Sequence, residues 1–222
     1  SYHGRNCGTF GPYNIISFNG NKIITSSGGG MLMTESEKDR NKAFFWATQS
    51  REPAPWYQHE EIGYNYRMSN VVAGIGRGQL LHLEEHVQRK EAIYRRYCEG
   101  LKDLPLTMNP YMEVMKPNFW LSCMLIDKNC PVSPMRVMEK LSENNIEARP
   151  IWKPMHMQPM YRMHEFVTVS GTGRCRTNAY IAGGVTDVGA DIFDRGLCLP
   201  SDNKMTKEEQ DLVINVIHRC FR

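Results

Sequence analysis

One lysine near the start of the chain has a setting suited to covalent chemistry. Lys22 follows a run of β-branched and aromatic residues at 13–18 and precedes three consecutive glycines at 28–30. An amine that loses part of its water gives up its proton more readily, and a neutral amine attacks carbonyl carbon atoms to form a Schiff base. On position alone a solvated loop lysine is the more common case, so both interpretations stay open.

A second set of polar residues precedes a long helical pattern. Asn65 and Ser69 are residue types that cap a helix or bind an anion near its N-terminus. Arg67 lies between them. Its planar guanidinium either holds a carboxylate or phosphate with two hydrogen bonds or pairs with a surface acid.

Two histidine-containing segments allow other interpretations. His82 and His86 form an H-x-x-E-H pattern, the inverted pattern of zinc peptidases, with both imidazoles on one helix face. A zinc-dependent hydrolase is therefore an alternative, although no comparable motif supplies its third ligand. Trp152 and His156 lie in a later segment, where a tryptophan is by default a core residue and a lone histidine is by default structural.

The elements that position these residues begin with a strand and a helix. A short buried strand is predicted at 13–18, because its residues are β-branched or aromatic and turn residues flank it. Thr34 and Glu37 form a Thr-x-x-Glu capping box, which predicts a helix that runs to about Thr48. Residues 50–66 are predicted to be an irregular connection.

One long amphipathic helix is predicted from Ser69 to Leu101, because apolar residues recur there at spacings of three and four. Its first turns contain Gly74, Gly76 and Gly78, and each costs up to about 1 kcal/mol relative to alanine in a helix. We therefore expect another group to pack very close to the backbone there.

After residue 105 the pattern mixes strands and helices. Further elements are predicted here: strands at 119–126 and 146–149, a helix that begins at Ser133-Pro134, a Gly/Thr-rich loop region at 168–186, and a final helix with a capping box of Thr206 and Glu209.

Composition excludes several classes of protein. The 222 residues are 41% hydrophobic and 23% charged, as in an ordinary globular chain. The net charge of +3 is spread along the sequence, so neither a nucleic acid nor a membrane surface is the expected partner. No apolar run approaches the roughly 20 residues that span a bilayer. The seven scattered cysteines favour a reducing compartment, and a cytoplasmic location is expected.

Four sequence blocks, in order, carry a resemblance to a known family. They are S-F-N-G-N-K-I-I-T at 17–25, Y-N-Y-R-M-S-N at 64–70, A-R-P-I-W-K-P-M-H at 148–156 and D-R-G-L-C-L-P-S at 194–201. Together they resemble the DegT/DnrJ/EryC1/StrS family of sugar aminotransferases, which depend on pyridoxal 5'-phosphate (PLP). The resemblance covers essentially the whole chain.

The resemblance implies three cofactor-binding residues. Lys22 corresponds to the lysine that forms a Schiff base with PLP, and Ser17 to the serine that contacts the cofactor phosphate, although Ser17 is otherwise an ordinary strand hydroxyl. Asn65 corresponds to the asparagine that reaches across a dimer interface to the neighbour's phosphate. A branch of the family that performs dehydration carries histidine at the lysine position, so Lys22 favours transamination.

The resemblance also implies substrates and a reaction. Trp152 and His156 lie in the segment typical of members that act on nucleotide-linked N-acetylated 4-keto sugars, and with Arg67 they are the expected substrate-binding residues. The implied reaction moves an amino group, from glutamate, to a keto carbon of a nucleotide sugar, of the UDP-N-acetyl 4-keto-6-deoxy type. A homodimer with a shared active site is expected, and no metal ligand is implied.

The implied fold class is α/β. Residues 1–68 are expected to be the C-terminal part of the large PLP-binding domain of the aspartate aminotransferase-like fold (fold type I). A long connecting helix at 69–103 and a small α+β domain at 104–222 are expected to follow.

Two groups that family members use are expected outside this sequence. The acid that pairs with the pyridinium nitrogen and the ring that stacks on the cofactor belong to a segment that precedes Ser1 in the family. The sequence also lacks an initiator Met, so we expect it to be the C-terminal portion of a longer protein. A non-catalytic remnant or an interaction module is therefore a further alternative.

Overall fold

The computed structural model describes residues 1–161, 163–168, 171–176, 180–181 and 187–222. These residues form two compact units. The first unit contains residues 1–88 and 111–120, and the second contains 89–110 and 121–222. The units are described separately below. The predicted division at residues 68 and 103 stays a prediction.

The first unit combines a two-stranded sheet with helices. Its elements are β1 (Tyr13–Ser17), β2 (Gly30–Thr34), α1 (Glu37–Ala47), α2 (Asn70–Leu80) and the first residues of α3 (Leu83–Gly100). β1 and β2 pair antiparallel, from Tyr13 opposite Thr34 to Ser17 opposite Gly30. The connection between them, residues 18–29, contains Lys22 and is called the lysine loop below.

The second unit is built around a four-stranded antiparallel sheet. Besides the rest of α3, its elements are β3 (Leu106–Met108), β4 (Ser122–Ile126), α4 (Pro134–Ser142), β5 (Arg149–Pro150), β6 (Glu165–Thr168), β7 (Gly171–Arg176), β8 (Tyr180–Ile181), α5 (Val188–Arg195), β9 (Gly196–Leu199) and α6 (Lys207–Cys220). The strand order of the main sheet is β3-β4-β9-β5, and β6, β7 and β8 form a separate antiparallel sheet.

The core of the second unit lies on one face of the main sheet. Met124 and Ile126 of β4 are buried there against Tyr97 of α3, Leu141 of α4 and Ile217 of α6. β4 alternates between buried and half-buried positions, because successive side chains of a strand point to opposite faces. Each such buried aliphatic side chain stabilises the fold by roughly 1.5–3 kcal/mol relative to its exposed state. Helix α5 packs on β4 and β9.

Two predicted helix starts are confirmed. Thr206 and Glu209 make both hydrogen bonds of the capping box at the start of α6. Ser133 caps α4 through a hydrogen bond from the Arg136 N–H, and Pro134 occupies the first helical position. Local sequence signals therefore determine where these two helices begin.

The predicted capping role of Thr34 is wrong. Helix α1 begins after Ser36, whose hydroxyl oxygen accepts a hydrogen bond from the Asp39 N–H at 3.2 Å. Thr34 is the last residue of β2, where pairing with Tyr13 keeps its backbone extended. Its hydroxyl oxygen accepts from the Ser36 N–H at 3.2 Å instead.

The predicted single helix from Ser69 to Leu101 is also wrong, since α2 and α3 are separate. Leu81 and His82 form a turn between them, with N–H groups that donate to carbonyls three residues back. Gly74 and Gly78 weaken the last turns of α2. A Cβ atom at either glycine would meet nothing within 4 Å in the described chain, so the predicted close neighbour is not among the described residues of this chain and stays a prediction. At Gly76, a Cβ atom would make ordinary contact with Ser26 at 3.8 Å.

Three further predictions need correction. The strand predicted at 119–126 begins at Ser122, because Phe119 has a φ of 51° that a strand cannot contain. The strand predicted at 146–149 is reduced to Arg149–Pro150, because the Ile146 N–H closes the end of α4 by donating to Leu141 O. The loop predicted at 168–186 instead contains strand residues at 168, 171–176 and 180–181, and the rest of it lies outside the described residues.

Among the helices of the described residues, none combines the length and the apolar character that crossing a bilayer requires.

Candidate functional site

The lysine loop is fixed by its own backbone hydrogen bonds. Phe18 N donates to Gly29 O at 3.0 Å and Ser26 N donates to Phe18 O at 3.1 Å, so the two ends of the loop are held together. Lys22 N donates to Asn19 O at 3.0 Å and closes a tight turn. Lys22 therefore occupies a defined turn immediately after β1.

Two residues from distant parts of the chain hold the carbonyls on either side of Lys22. Trp120 Nε1 donates to Asn21 O at 2.7 Å, and His86 Nδ1 lies 3.0 Å from Ile23 O. Neither residue was among the predicted site residues. His86 belongs to the H-x-x-E-H pattern, whose spacing suggested that the histidine binds a metal ion. In the structure it contacts a backbone carbonyl instead.

The side chain of Lys22 lies on an aromatic surface. Its Nζ is 4.3 Å from the ring centroid of Trp120, and the residue is half-buried. Among the described residues, no carboxylate lies within the 4.0 Å of an ion pair with Lys22. By contrast, Lys42, which also lies near a tryptophan ring, is paired with Glu61. The Lys22 amine is therefore oriented by a ring, and none of the described carboxylates competes for it.

Ser17 is the last residue of β1 and its side chain is exposed. Its hydroxyl oxygen accepts a weak hydrogen bond from the Asn19 N–H at 3.4 Å. A hydroxyl that accepts one hydrogen bond can still donate its own hydrogen to a second group. Ser17 and Lys22 are thus brought together at one end of the sheet, on either side of a single turn.

The segment that contains Asn65 and Arg67 is tied to the end of α1. Tyr64 N donates to Trp46 O at 2.7 Å, Tyr66 N donates to Ala47 O at 3.0 Å, and Asn65 forms a β-bridge with Thr48. The rings of Tyr64 and Tyr66 stack with centroids 4.9 Å apart. Since this segment is held as an added strand, the Asn65 side chain points away from the two rings.

Asn65 lines an open groove of about 570 Å³ together with residues 49 and 59–63. One wall is Glu61, whose pKa is held below its ordinary value by hydrogen bonds from Lys42 and from the Trp46 indole. Gly63 is required in this wall, because a Cβ atom there would lie 2.2 Å from the backbone of Gln49.

Of the two residues that could cap the helix, Ser69 does so and Asn65 does not. Ser69 caps α2, since its hydroxyl oxygen accepts a hydrogen bond from the Val72 N–H at 3.3 Å. Asn65 lies four residues earlier and does not cap that helix, so its amide is available for another ligand. The guanidinium of Arg67 lies 4.7 Å from the ring centroid of Phe44 and has no carboxylate partner among the described residues.

The two segments meet through Met68. Gly29, with a φ of +90°, lies so close to Met68 that a Cβ atom would be 2.7 Å from the Met68 Cε. The lysine loop and the segment with Asn65 are therefore in contact. In the described residues, Asn65 and Arg67 form no hydrogen bond or ion pair with Lys22 or Ser17.

Trp152 and His156 belong to the second unit and are described only within it. Trp152 is 60% exposed, so it is not a core residue. His156 Nε2 lies 2.5 Å from Asp187 Oδ2, and its ring packs on Phe166 with centroids 4.3 Å apart. Asp187 was not predicted. It also caps α5 by accepting from the Ala190 N–H, and an aspartate just before a helix was the available signal.

The zinc alternative finds no support in this geometry. His82 contacts Glu85 at 3.4 Å on the surface, and His86 Nδ1 lies 3.0 Å from the carbonyl oxygen of Ile23. Within the part of the chain that the structure describes, no group of three or more His, Cys, Asp or Glu side chains could hold a metal ion.

Comparison with known proteins identifies the family. The family model described as the DegT/DnrJ/EryC1/StrS aminotransferase family matches residues 1–218. The chain belongs to this family. It is 44% identical over 221 residues to EpsN of Bacillus subtilis, provisionally named a pyridoxal phosphate-dependent aminotransferase, and the match covers 99% of this chain and 53% of EpsN.

Two further proteins extend the comparison. The GDP-perosamine synthase of Vibrio cholerae is 34% identical over 159 residues, which is 72% of this chain and 43% of that protein. The crystal structure of the aminotransferase TlmJ from Streptoalloteichus hindustanus superimposes with a TM-score of 0.79 at 20% identity, and covers 99% of this chain and 55% of TlmJ. The predicted α/β fold class of the PLP-dependent transferases is confirmed by this similarity.

The chain spans about half the length of the curated relatives that it matches. The family is one of aminotransferases, and the name of EpsN describes that relative as pyridoxal phosphate-dependent. The roles of Lys22, Ser17, Asn65, Arg67, Trp152 and His156 stay predictions from the sequence.

Proposed function

We propose that this chain carries the cofactor lysine of a PLP-dependent sugar aminotransferase. The amino donor is glutamate, and the acceptor is the keto carbon of a nucleotide-linked sugar of the UDP-N-acetyl 4-keto-6-deoxy type. The observation that carries the proposal is the half-buried Lys22 amine, oriented by Trp120 on a hydrogen-bonded loop and without a carboxylate partner among the described residues.

The residues present fit the chemical groups of PLP. A primary amine at Lys22 suits the cofactor aldehyde, whereas the Ser17 hydroxyl and the Asn65 amide are hydrogen-bond donors that suit a phosphate. Both donors are exposed and neither is committed to an acceptor in the described residues. When bound, PLP supplies an electron sink for the carbon that gains or loses a proton.

Lys22 has a second role in this proposal. With its amine free, the same Nζ would accept a proton and return it at a neighbouring atom. The Trp120 ring attracts the protonated form of that amine, because a cation over an indole face within about 6 Å is attracted to it. A rigid loop is needed for this, since small displacements of a proton-transfer group are costly in rate.

The substrate residues are assigned by chemistry and by their place in the family segments. The planar guanidinium of Arg67 suits a carboxylate or a phosphate. Trp152 offers an exposed aromatic surface to a sugar or a base, and Asp187 fixes the ring orientation of His156. The name of the Vibrio cholerae relative gives a GDP-linked product for that protein. The UDP-linked acceptor proposed here depends on the segment at 148–156.

We infer that the working enzyme includes a second copy of the chain and the part of the protein that the relatives contain beyond this match. Helix α2 exposes one apolar face formed by Val71, Gly74, Ile75 and Gly78, which recur at helical spacing, and Val71 is 74% exposed. Open glycines let another helix approach closely, and exposed apolar patches mark association sites. We also propose a cytoplasmic location, which is supported by the pattern of scattered cysteines.

Trapping the cofactor with borohydride tests the assignment of Lys22. The chain is incubated with PLP, the visible band near ~420 nm is recorded, and the adduct is reduced and mapped by peptide mass spectrometry. We expect Lys22 to carry most of the label. Lys42 is the matched control, because it also lies by a tryptophan but is paired with Glu61. Lys22→Arg should abolish the specific label and Lys42→Arg should leave it unchanged.

Glutamate then separates the transferase from a binding module. Glutamate is added to the PLP-treated chain before reduction. The absorbance of the visible band should then fall, because an aminotransferase takes up the amino group of glutamate. Equal labelling of Lys22 and Lys42 would contradict the cofactor assignment. Specific labelling at Lys22 without any response to glutamate would favour the interaction-module alternative over the transferase.

A further inference from the structure

Two cysteines of the second unit face each other across the main sheet. Cys123 in β4 and Cys198 in β9 are directly opposite in the antiparallel register. Their Sγ atoms are 3.6 Å apart, and both are free thiols. The proposed aminotransferase chemistry uses neither of them.

The backbone at Cys123 determines how close the pair lies. Cys123 O accepts from Asn109 N at 2.9 Å, and Cys123 N donates to Asn109 Oδ1 at 3.0 Å. Both polar groups of Cys123 therefore point away from β9, which makes Cys123 and Cys198 a non-hydrogen-bonded pair of the ladder. The Cα atoms of such a pair are about 4.5 Å apart, with the side chains at their closest. This spacing is within the range of about 4.4–6.8 Å that a disulfide spans, so closure needs no rearrangement of the strands.

The surroundings give the pair one accessible side. Cys198 is 8% exposed, whereas Cys123 is half-buried and lines a cavity of about 850 Å³. Thr107, Ile151 and Ile192 form other parts of the cavity wall. A small molecule in this cavity reaches the pair from the Cys123 side.

The hydrogen bond between the two thiols shifts their pKa values in opposite directions. It holds the pKa of Cys198 below the ordinary thiol value, although burial acts in the opposite direction. The same hydrogen bond, together with burial, raises the pKa of Cys123. One sulfur is therefore the readier thiolate, and the thiolate is the form that reacts.

We propose that Cys123 and Cys198 are a reversible redox site that closes to a disulfide by exchange with a low-molecular-weight disulfide. Cys123, which lines the cavity, loses its proton to the neighbouring Cys198 thiolate and attacks one sulfur of that molecule, whose S–S bond breaks, and the first small thiol leaves with a proton from solvent. The second cysteine then loses its proton and attacks the protein sulfur of the mixed disulfide, and the second small thiol leaves. Two protein thiols are oxidised by two electrons, and the small disulfide is reduced to two thiols.

In a reducing compartment such a bond is transient and responds to the ratio of small disulfide to thiol. The site is independent of Lys22, so it can be tested whether or not the chain binds PLP. The two cysteines are 75 positions apart in the sequence. They are therefore brought together by the folded sheet and not by proximity along the chain.

A redox titration with oxidised and reduced glutathione tests the proposal on the full chain. Samples are equilibrated at graded ratios, quenched with acid and mapped by peptide mass spectrometry. We expect a Cys123–Cys198 disulfide to form, which lowers the thiol count from seven to five apart from any glutathione attached elsewhere. Cys7 is exposed and serves as an internal control, because it should take up glutathione without forming an internal bond.

Variants and a denatured reference complete the test. Cys123→Ser and Cys198→Ser should each abolish the internal disulfide, while Cys130→Ser, a neighbour in the same cavity wall, should retain it. The equilibrium constant for closure should be at least about tenfold larger in the folded chain than in concentrated urea, because the unfolded chain must close a long loop.

Three results would overturn the proposal. They are an unoxidised pair under conditions that modify Cys7, a disulfide that joins other cysteines, and an equilibrium constant no larger in the folded chain than in urea.

Discussion

The two units of the chain bury apolar residues to very different extents. In the first unit, Ile24 and Phe119 are the buried hydrophobic residues, while large apolar side chains on both strands and on α2 are exposed. The second unit contains the other buried hydrophobic residues of the described chain, most of them in a core between α3, α4, α6 and the main sheet. The unit that carries Lys22 is therefore the one with the less complete core.

This difference indicates which interactions stabilise each unit. Burial of apolar area is the dominant favourable contribution to folding, so the second unit has the means to be stable by its own contacts. The first unit is held largely by hydrogen bonds, such as those of the lysine loop, and each contributes about 0.5–1.5 kcal/mol. Its exposed apolar surface is available for association instead.

The largest expected effect is a contrast between two isoleucines. Ile217 is 0% exposed in the second unit, and Ile15 is 77% exposed in the first. Ile217→Ala should lower the free energy of unfolding by about 2–5 kcal/mol, because it leaves a cavity in a packed core. Ile15→Ala should change it by less than about 0.5 kcal/mol. Urea unfolding at low protein concentration measures both, and equal losses would break the comparison.

The second prediction concerns association through the apolar face of α2. Ile75→Asp should weaken self-association at least tenfold, about 1.4 kcal/mol, because a charge would be buried on contact. Leu212→Asp is the matched control, since Leu212 is an exposed apolar residue of α6 in the second unit. Sedimentation equilibrium measures the dissociation constants. The same constant for the wild type and both variants would remove α2 from the proposed interface.

The smallest effect is a pH dependence that compares one carboxylate in each unit. Hydrogen bonds from Arg195 lower the pKa of Asp191, and a hydrogen bond from the Tyr13 hydroxyl lowers that of Asp39. A carboxylate whose pKa is lower in the folded chain stabilises the fold above its unfolded value of about 3.9, and this contribution is lost as the pH falls through the folded pKa.

The corresponding test uses two substitutions. Asp191→Asn should lower the free energy of unfolding at neutral pH by less than about 1 kcal/mol, and the difference from the wild type should vanish in acid. Asp39→Asn should have a smaller effect, because its partner lies on the open surface of the first unit. Urea unfolding across the acid range measures both curves. A difference that grows in acid would show that the sign is wrong.

Local signals in the sequence predicted the elements whose causes are local. The capping residues of α4 and α6 lie within three positions of the backbone groups that they satisfy, and both predictions are confirmed. Thr34 failed because strand pairing with a residue 21 positions earlier, Tyr13, overrode the local capping signal. The helix predicted over residues 69–101 failed because periodicity continued through a turn that the glycines of α2 permit.

The candidate site shows the same limit. Sequence blocks selected Lys22 and Ser17 as candidates, and these two residues lie on either side of one turn. The groups that hold the lysine loop, Trp120 and His86, could not be predicted, because nothing in their local sequence points to a carbonyl in that loop. Asp187 was missed for the same reason, since its contact with His156 spans 31 positions.

The hydrogen bond from Trp120 to Asn21 also has a consequence for the order of synthesis. The two residues are 99 positions apart, and residues 89–110 between them belong to the second unit. A ribosome that has released the first 88 residues has made Lys22 but not the indole that holds the neighbouring carbonyl. The Lys22 amine therefore acquires its setting only after the chain has passed through part of the other unit and returned.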